Sequence, residues 1–154
     1  MNVKTLRRRV GFYPPFLGAG IKVKYIAPDV RRIDVEMPLR FWNRNLVGTH
    51  FRGSLYAMTD LFFMMMLIQN LGPDYIVWDK SAGIRFRRPG TGTVHARFEL
   101  TQERLDEIRT LADRQEKVEP VFQVQVVDAK GNVVAEIEKV LYVRRKPAVT
   151  PEPR

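Results

Sequence analysis

The stretch of residues 45–72 constrains this chain more than any other, because it predicts a long helix without a polar face. Residues 53–71 are mostly strong helix formers or large apolar side chains, and the apolar side chains occur on every face of that helix. A helix that is apolar all round has to be buried all round, so we expect it to form the centre of the fold. Gly72 and Pro73 end it.

Asp60 is the one acidic or basic residue inside this predicted helix. A buried carboxylate needs a partner, a change of protonation or access to water, so Asp60 is a candidate site residue. The alternative is a structural carboxylate that faces a polar rim or accepts a hydrogen bond from Thr59 or Tyr56. The uninterrupted apolar run, residues 61–68, is far shorter than the roughly 20 residues that cross a bilayer, so we expect no membrane insertion.

Length and composition predict one domain over residues 1–146 and a disordered tail over residues 147–154. The absence of cysteine excludes disulfides, zinc–thiolate sites and thiol nucleophiles, and it fits a reducing cytoplasm. The first ten residues lack the apolar core of an export signal. The net charge of +9 attracts anions, such as nucleic acid, acidic membranes or phosphate-bearing metabolites, without choosing between them.

Alternation of apolar and polar residues predicts an antiparallel sheet of about six strands. The predicted strands cover residues 21–25, 33–37, 75–78 continued by 82–86, 94–100, 122–126 and 134–143. Residues 101–116 predict a short amphipathic helix capped by Thr101, whereas the Pro- and Gly-rich residues 12–18 predict no regular element. One long helix covering one face of such a sheet indicates an α+β fold.

This order of elements resembles the hot-dog fold of acyl-CoA thioesterases, and one motif strengthens the resemblance. Thioesterases of the phenylacetate-pathway type carry Asn-x-x-Gly-Thr-x-His-Gly-Gly and, nine residues after the His, an Asp in the central helix. Residues 45–53 match the Asn, the Gly-Thr and the final Gly, and Asp60 stands at the expected spacing. Phe51 replaces the His and Arg52 replaces the first Gly. The family's Phe-x-x-Pro ending of the next strand appears at residues 86–89.

The resemblance covers roughly residues 14–145 and looks closest to a bacterial hot-dog subfamily whose thioesterase activity is uncharacterised. It implies that Asn45 orients substrate or water, that the main-chain N–H of Arg52 helps to hold the thioester oxygen, and that Asp60 acts as general base or nucleophile. A carboxylate among apolar side chains would be a stronger base than a solvated one. The residues implied to contact the substrate are His50, Phe51, Gly53, Phe62, Phe63, Arg85, Arg87 and Arg88.

The same resemblance implies the partners. The substrate is an acyl-CoA or acyl-carrier thioester, with the arginines near the coenzyme phosphates and the phenylalanines near the acyl chain. No metal and no cofactor is expected. Hot-dog chains pair sheet edge to sheet edge, so we expect a homodimer or a dimer of dimers with the site between two subunits.

Two other functions stay open. Phe51 and Arg52 in place of His and Gly would suit a non-catalytic acyl-CoA or fatty-acid binding protein on the same fold. A basic nucleic-acid-binding domain fits less well, because the aromatic residues do not alternate with Arg or Lys as a stacking platform prefers. The dehydratase relatives of this fold also fit less well, because their acid position holds Met64 here.

Overall fold

A computed structural model describes residues 2–147, and its largest element is one antiparallel sheet of six strands. The strands are β1 (Lys22–Ile26), β2 (Arg32–Met37), β3 (Tyr75–Phe86), β4 (Val94–Glu99), β5 (Val121–Asp128) and β6 (Val133–Arg145). They lie in the order β1-β2-β4-β5-β6-β3, so β1 and β3 are the two edges. The helices are α1 (Val3–Gly11), α2 (Pro14–Ala19), α3 (Arg52–Ala57), α4 (Phe62–Leu71) and α5 (Gln102–Arg114). Of the predicted tail, residues 148–154 lie outside the described part.

The six predicted strands are confirmed, with one error of facing in β1. The apolar rows of β2, β4 and β5 point into the core as the alternation predicts. In β1 the pairing register shifts between Val23 and Tyr25, which turns Tyr25 outward and Ile26 inward. The extra residue of a bulge reverses the alternation beyond it, so the predicted inward facing of Tyr25 is wrong.

The Pro-rich residues 12–18 were expected to form no regular element, and that prediction is wrong. Pro14 and Pro15 occupy the first two positions of α2, where a residue without an N–H loses no helical hydrogen bond. Gly20 ends this helix in the left-handed conformation, with φ of 78°. Phe16 turns inward and stacks on Phe62 with ring centroids 5.6 Å apart, so α2 closes one end of the core.

The continuous helix expected over residues 53–71 is also wrong, because the chain forms α3 and α4 with a break between them. Leu61 adopts the left-handed conformation at φ of 56°, which costs a residue with a side chain roughly 1–2 kcal/mol. Asp60 therefore lies in the break and not within a helix. Ile68 in α4 is exposed, so the central segment is not buried all round.

The core lies between α4 and the inner face of the sheet. The Phe63 ring packs against Phe98 of β4 at 5.3 Å and stacks on Phe122 of β5 at 4.6 Å. The predicted helix at residues 101–116 is confirmed as α5, and the Thr101 side chain accepts a hydrogen bond from the Arg104 N–H as the predicted cap. Within residues 2–147, every helix is too short or too polar to span a bilayer.

Candidate active site

Asn45 organises the loop that leads into α3. Its Oδ1 accepts hydrogen bonds from the N–H groups of Val47 (3.1 Å) and Thr49 (3.0 Å). Its Nδ2 donates to Thr49 Oγ1 (2.8 Å) and to the carbonyl oxygen of His50 (3.4 Å). Both ends of the amide are thus engaged inside the loop, where Asn commonly replaces main-chain bonding. The role of Asn45 toward a substrate stays a prediction, and it requires one of these bonds to open.

His50 is a buried imidazole at the end of this loop. Its Nε2 lies 2.7 Å from the carbonyl oxygen of Gly92, which can only accept, so Nε2 carries the proton. Burial lowers the pKa of His50 below its ordinary value, and the bond to Gly92 opposes this only in part. Among the described residues, Nδ1 has no hydrogen-bond partner. It is therefore a buried acceptor without a donor in this conformation of residues 2–147.

Arg52 is the first residue of α3 and directly follows Phe51, so its main-chain N–H lies at the start of the helix. No acceptor for this N–H lies among residues 2–147. Arg52 has helical backbone angles. Among residues 2–147, the only non-glycine residues with positive φ are Val30 and Leu61. An arginine thus fits the position where the resembling family has Gly. The Phe51 ring lies over Gly53, where a methyl group would come within 2.5 Å of it.

A cavity of about 250 Å³ lies where this loop meets the end of β3. Five of the predicted site residues line it, namely Asn45, His50, Arg52, Arg87 and Arg88. The Arg52 guanidinium also lies 4.8 Å from the centre of the Phe86 ring. Arg87 donates two hydrogen bonds to Glu136 Oε2, whereas Arg88 has no ion-pair partner among the described residues. Arg88 is thus the freer of the two cations.

Asp60 is held by an ion pair with Lys139 of β6. The Lys139 Nζ lies 2.9 Å from Asp60 Oδ1 and 3.1 Å from Asp79 Oδ1. The contact to Asp79 is an ion pair without hydrogen-bond geometry, so that oxygen has no hydrogen-bond donor in the described residues. The Asp60 side chain is 47% exposed. It thus has a partner and contact with water, and the expected setting among apolar side chains is wrong.

Lys139 is the site residue that sequence reasoning missed. Its side chain is 2% exposed and lies on the inner row of β6 between Ile137 and Leu141. Burial alone lowers the pKa of this ammonium, but the Asp60 and Asp79 carboxylates outweigh burial, so the pKa is raised. The signal was present in the sequence, since the alternation of residues 134–143 puts this lysine on the core face.

The remaining predicted residues lie outside the cavity. Phe62 and Phe63 are buried in the aromatic core, so their contact with an acyl chain stays a prediction. Arg85 lines a separate groove of about 510 Å³ on the outward face of the sheet. Its contact with a coenzyme also stays a prediction.

The free edge of β3 passes close to Asp60. Asp79 belongs to β3, and it shares Lys139 with Asp60. Residues 80–83 of this strand are exposed on both faces, and three of them have small side chains or none. An edge strand with unpaired main-chain groups is a place where another strand can pair.

Residues 4–143 match the family described as "Domain of unknown function (DUF4442)". No curated protein matches the chain significantly. A similar solved structure is that of a Pseudomonas aeruginosa protein described as a "Protein of Unknown Function" and "Probable Thioesterase". It is 23% identical over 95% of this chain and 97% of that chain, with a TM-score of 0.83.

Two further structures show the same fold. A Haemophilus influenzae thioesterase is 13% identical over 99% of this chain and 96% of its own, with a TM-score of 0.68. A variant of the phenylacetic acid degradation protein PaaI from Thermus thermophilus is 26% identical over 86% of this chain and 99% of its own, with a TM-score of 0.57. The predicted α+β hot-dog fold is thereby confirmed.

Proposed function

The chain belongs to this DUF4442 family, and we propose that it is an acyl-CoA thioesterase-like hydrolase whose site forms between two copies of the chain. The observation that carries the proposal is the placement of Asp60. A strained break in the central helix turns this half-exposed carboxylate toward a buried lysine, beside the free edge of the sheet. Strain of this kind persists where the surrounding structure enforces it, and it concentrates at functional sites.

Asp60 would act as the general base. It takes a proton from a water molecule, and the resulting hydroxide adds to the carbonyl carbon of the thioester. The oxyanion of the tetrahedral intermediate accepts a hydrogen bond from the unpaired N–H of Arg52, which stabilises the developing charge. The intermediate collapses with cleavage of the carbon–sulfur bond. The proton then passes to the leaving sulfur, which gives a carboxylic acid and a free thiol.

The two parts of this site lie apart along β3, and a two-fold axis would bring them together. Asp79 lies beside Asp60, whereas Phe86 lines the cavity. Asp79 and Phe86 are seven positions apart along the strand, which is roughly 23 Å. Antiparallel pairing of β3 with its copy, with the axis between Ala82 and Gly83, puts Asp79 opposite Phe86 of the partner subunit. Asp60 of one chain would then face the cavity of the other.

The cavity suits the coenzyme end of such a substrate. Arg52, Arg87 and Arg88 line it, and guanidinium groups bind phosphate through several parallel hydrogen bonds. Two of the similar solved structures are described as thioesterases, which supports the same substrate class. The cytoplasmic location expected from the sequence stays a prediction.

A non-catalytic acyl-thioester binding protein is the second candidate, and Asn45 favours it. Its amide is engaged by four hydrogen bonds within its own loop, so no free amide group is available to orient a water molecule. In that case the thioester would bind and leave unchanged.

A thiol-release assay over acyl-CoA substrates of graded chain length separates the two candidates. The proposal predicts turnover well above the uncatalysed rate for at least one chain length. Saturable binding of acyl-CoA with no release of thiol would support the binding protein. The absence of both binding and turnover would refute both candidates.

A further inference from the structure

The outer surface of α1 and the turn into α2 combine exposed cations with exposed apolar side chains. Lys4, Arg7, Arg8 and Arg9 are all exposed, and none has a carboxylate partner among the described residues. The first acidic residue in the sequence is Asp29. Elsewhere on the surface many cations are paired, as Lys24 is with Glu36. The charge on α1 is therefore available to an anionic partner.

Three apolar side chains that follow these cations in the chain are also exposed. Phe12 is 70% exposed, Leu17 is 54% exposed and Tyr13 is 42% exposed. Phe12 lines a shallow groove of about 440 Å³ together with Thr5, Arg8 and Arg9, so the ring and the two guanidinium groups belong to one surface. The inner residues of α1, Leu6 and Val10, are already buried against the body of the protein.

We propose that the face formed by Lys4, Arg7, Arg8 and Arg9 with Phe12, Tyr13 and Leu17 docks on an anionic lipid surface. Cations near a membrane are attracted to its acidic headgroups, and neighbouring aromatic and aliphatic side chains enter the interfacial layer. The protein would lie on the bilayer without crossing it. Docking of this face requires no residue of the candidate site and is independent of the proposed hydrolase activity.

The apolar part of the face favours lipid over nucleic acid. A single strand needs aromatic faces on which successive bases stack. Leu17 offers no aromatic face, and the Tyr13 ring is packed edge-on against Phe16 at 5.2 Å. An aromatic ring beside two arginines, followed in the chain by an exposed leucine, instead matches the headgroup and acyl boundary of a membrane.

Co-sedimentation of the full chain with vesicles tests the proposal. We expect binding to vesicles of phosphatidylcholine with phosphatidylserine and little binding to phosphatidylcholine alone. Because each cation near the surface strengthens binding about fivefold, Arg8→Gln with Arg9→Gln should weaken binding roughly 30-fold. Arg114→Gln with Lys130→Gln removes the same charge from exposed positions on other elements and should leave the binding close to that of the wild type.

The apolar side chains need a separate variant. Phe12→Ser with Leu17→Ser changes exposed positions, so folding should survive, and vesicle binding should fall roughly tenfold or more. If the Arg114→Gln, Lys130→Gln control lost as much vesicle binding as the Arg8→Gln, Arg9→Gln variant, the binding would depend only on net charge, and the proposal would be overturned. Three other results would also overturn it: no vesicle binding, tighter arginine-dependent binding to polyuridylate than to the vesicles, or self-association of the protein that the Phe12→Ser change abolishes.

Discussion

Replacing both Asp60 and Asp79 by Asn should destabilise the protein strongly, because it leaves the Lys139 ammonium buried without a carboxylate. That side chain is 2% exposed, so water cannot replace the lost partners. Removing the partners of a buried charge costs about 3–5 kcal/mol. In a chain of this length about 1 kcal/mol shifts the melting temperature by roughly 2–4 °C, so we expect a fall of roughly 6–20 °C.

The reverse change should cost less. Asp60 is 47% exposed and Asp79 is 26% exposed, so each carboxylate keeps some contact with water when Lys139→Met removes the ammonium, although Asp79 Oδ1 itself is buried. We expect a loss of about 1–3 kcal/mol for this variant. Adding Lys139→Met to the Asp60→Asn, Asp79→Asn double variant should restore much of its stability, because a methionine can occupy the lysine's place without a charge.

Thermal and urea unfolding of these variants provide the measurement. The asymmetry is the test, and a double variant that melts no lower than Lys139→Met would refute the reasoning. The pH dependence gives an independent check. Because the pKa of Lys139 is raised above its ordinary 10.5, its contribution to stability is complete below that pH and is lost as the pH rises through the higher value. The pair should therefore cause no loss of stability between neutral pH and pH 10.

Three further predictions concern the cavity and the sheet edge. Arg87→Gln with Arg88→Gln should weaken coenzyme A binding and flatten its salt dependence, whereas Arg114→Gln should do neither; titration at two ionic strengths compares them. His50→Gln keeps a donor for the Gly92 carbonyl but cannot be protonated. Because the pKa of His50 is lowered in the folded protein, the wild type should lose free energy of unfolding as the pH falls below about 6.5, and the variant should lose less. An unchanged pH profile contradicts this. A Cβ added at Gly83 meets no atom within 4 Å in the single chain, so Gly83→Arg should preserve the fold while placing like charges near the two-fold axis. Sedimentation should show a dimer for the wild type at micromolar concentration and a monomer for this variant; a monomeric wild type would refute the paired edge.

The sheet could be predicted because the alternation of apolar and polar residues can be read from the sequence of each strand by itself. Each inward row of β2, β4 and β5 follows directly from the sequence. The exception at Tyr25 arises from a bulge, which depends on how β1 pairs with β2 and leaves no mark in β1 itself.

The break in the central helix could not be predicted from its own residues. Thr59 and Asp60 are weak helix formers, but neither they nor Leu61 is a Gly or Pro, and two weak positions do not by themselves end a helix. The partner of Asp60 in the break is Lys139, which lies 79 positions further along the chain. Tertiary contacts of this kind override local propensity, although the inward-facing lysine in β6 was a usable signal.

The site could be predicted only in part, because only some of its residues are neighbours in the sequence. The motif placed Asn45, His50 and Arg52 together because they are neighbours in one loop, and Arg87 and Arg88 joined them through the end of β3. Asp60 lies away from that cavity along β3, so joining it to the motif requires the second copy of the chain, which a single sequence does not display.

Turnover of acyl-CoA by the Asp60→Asn variant tests the central claim most directly. The variant keeps the size of the side chain but removes the base, and Lys139 retains Asp79 as a partner. The variant should therefore fold, and its thiol release per folded molecule should fall by 10²-fold or more relative to the wild type, as expected for the loss of a general base. A folded Asp60→Asn protein with full activity would contradict the assignment of Asp60 as the base.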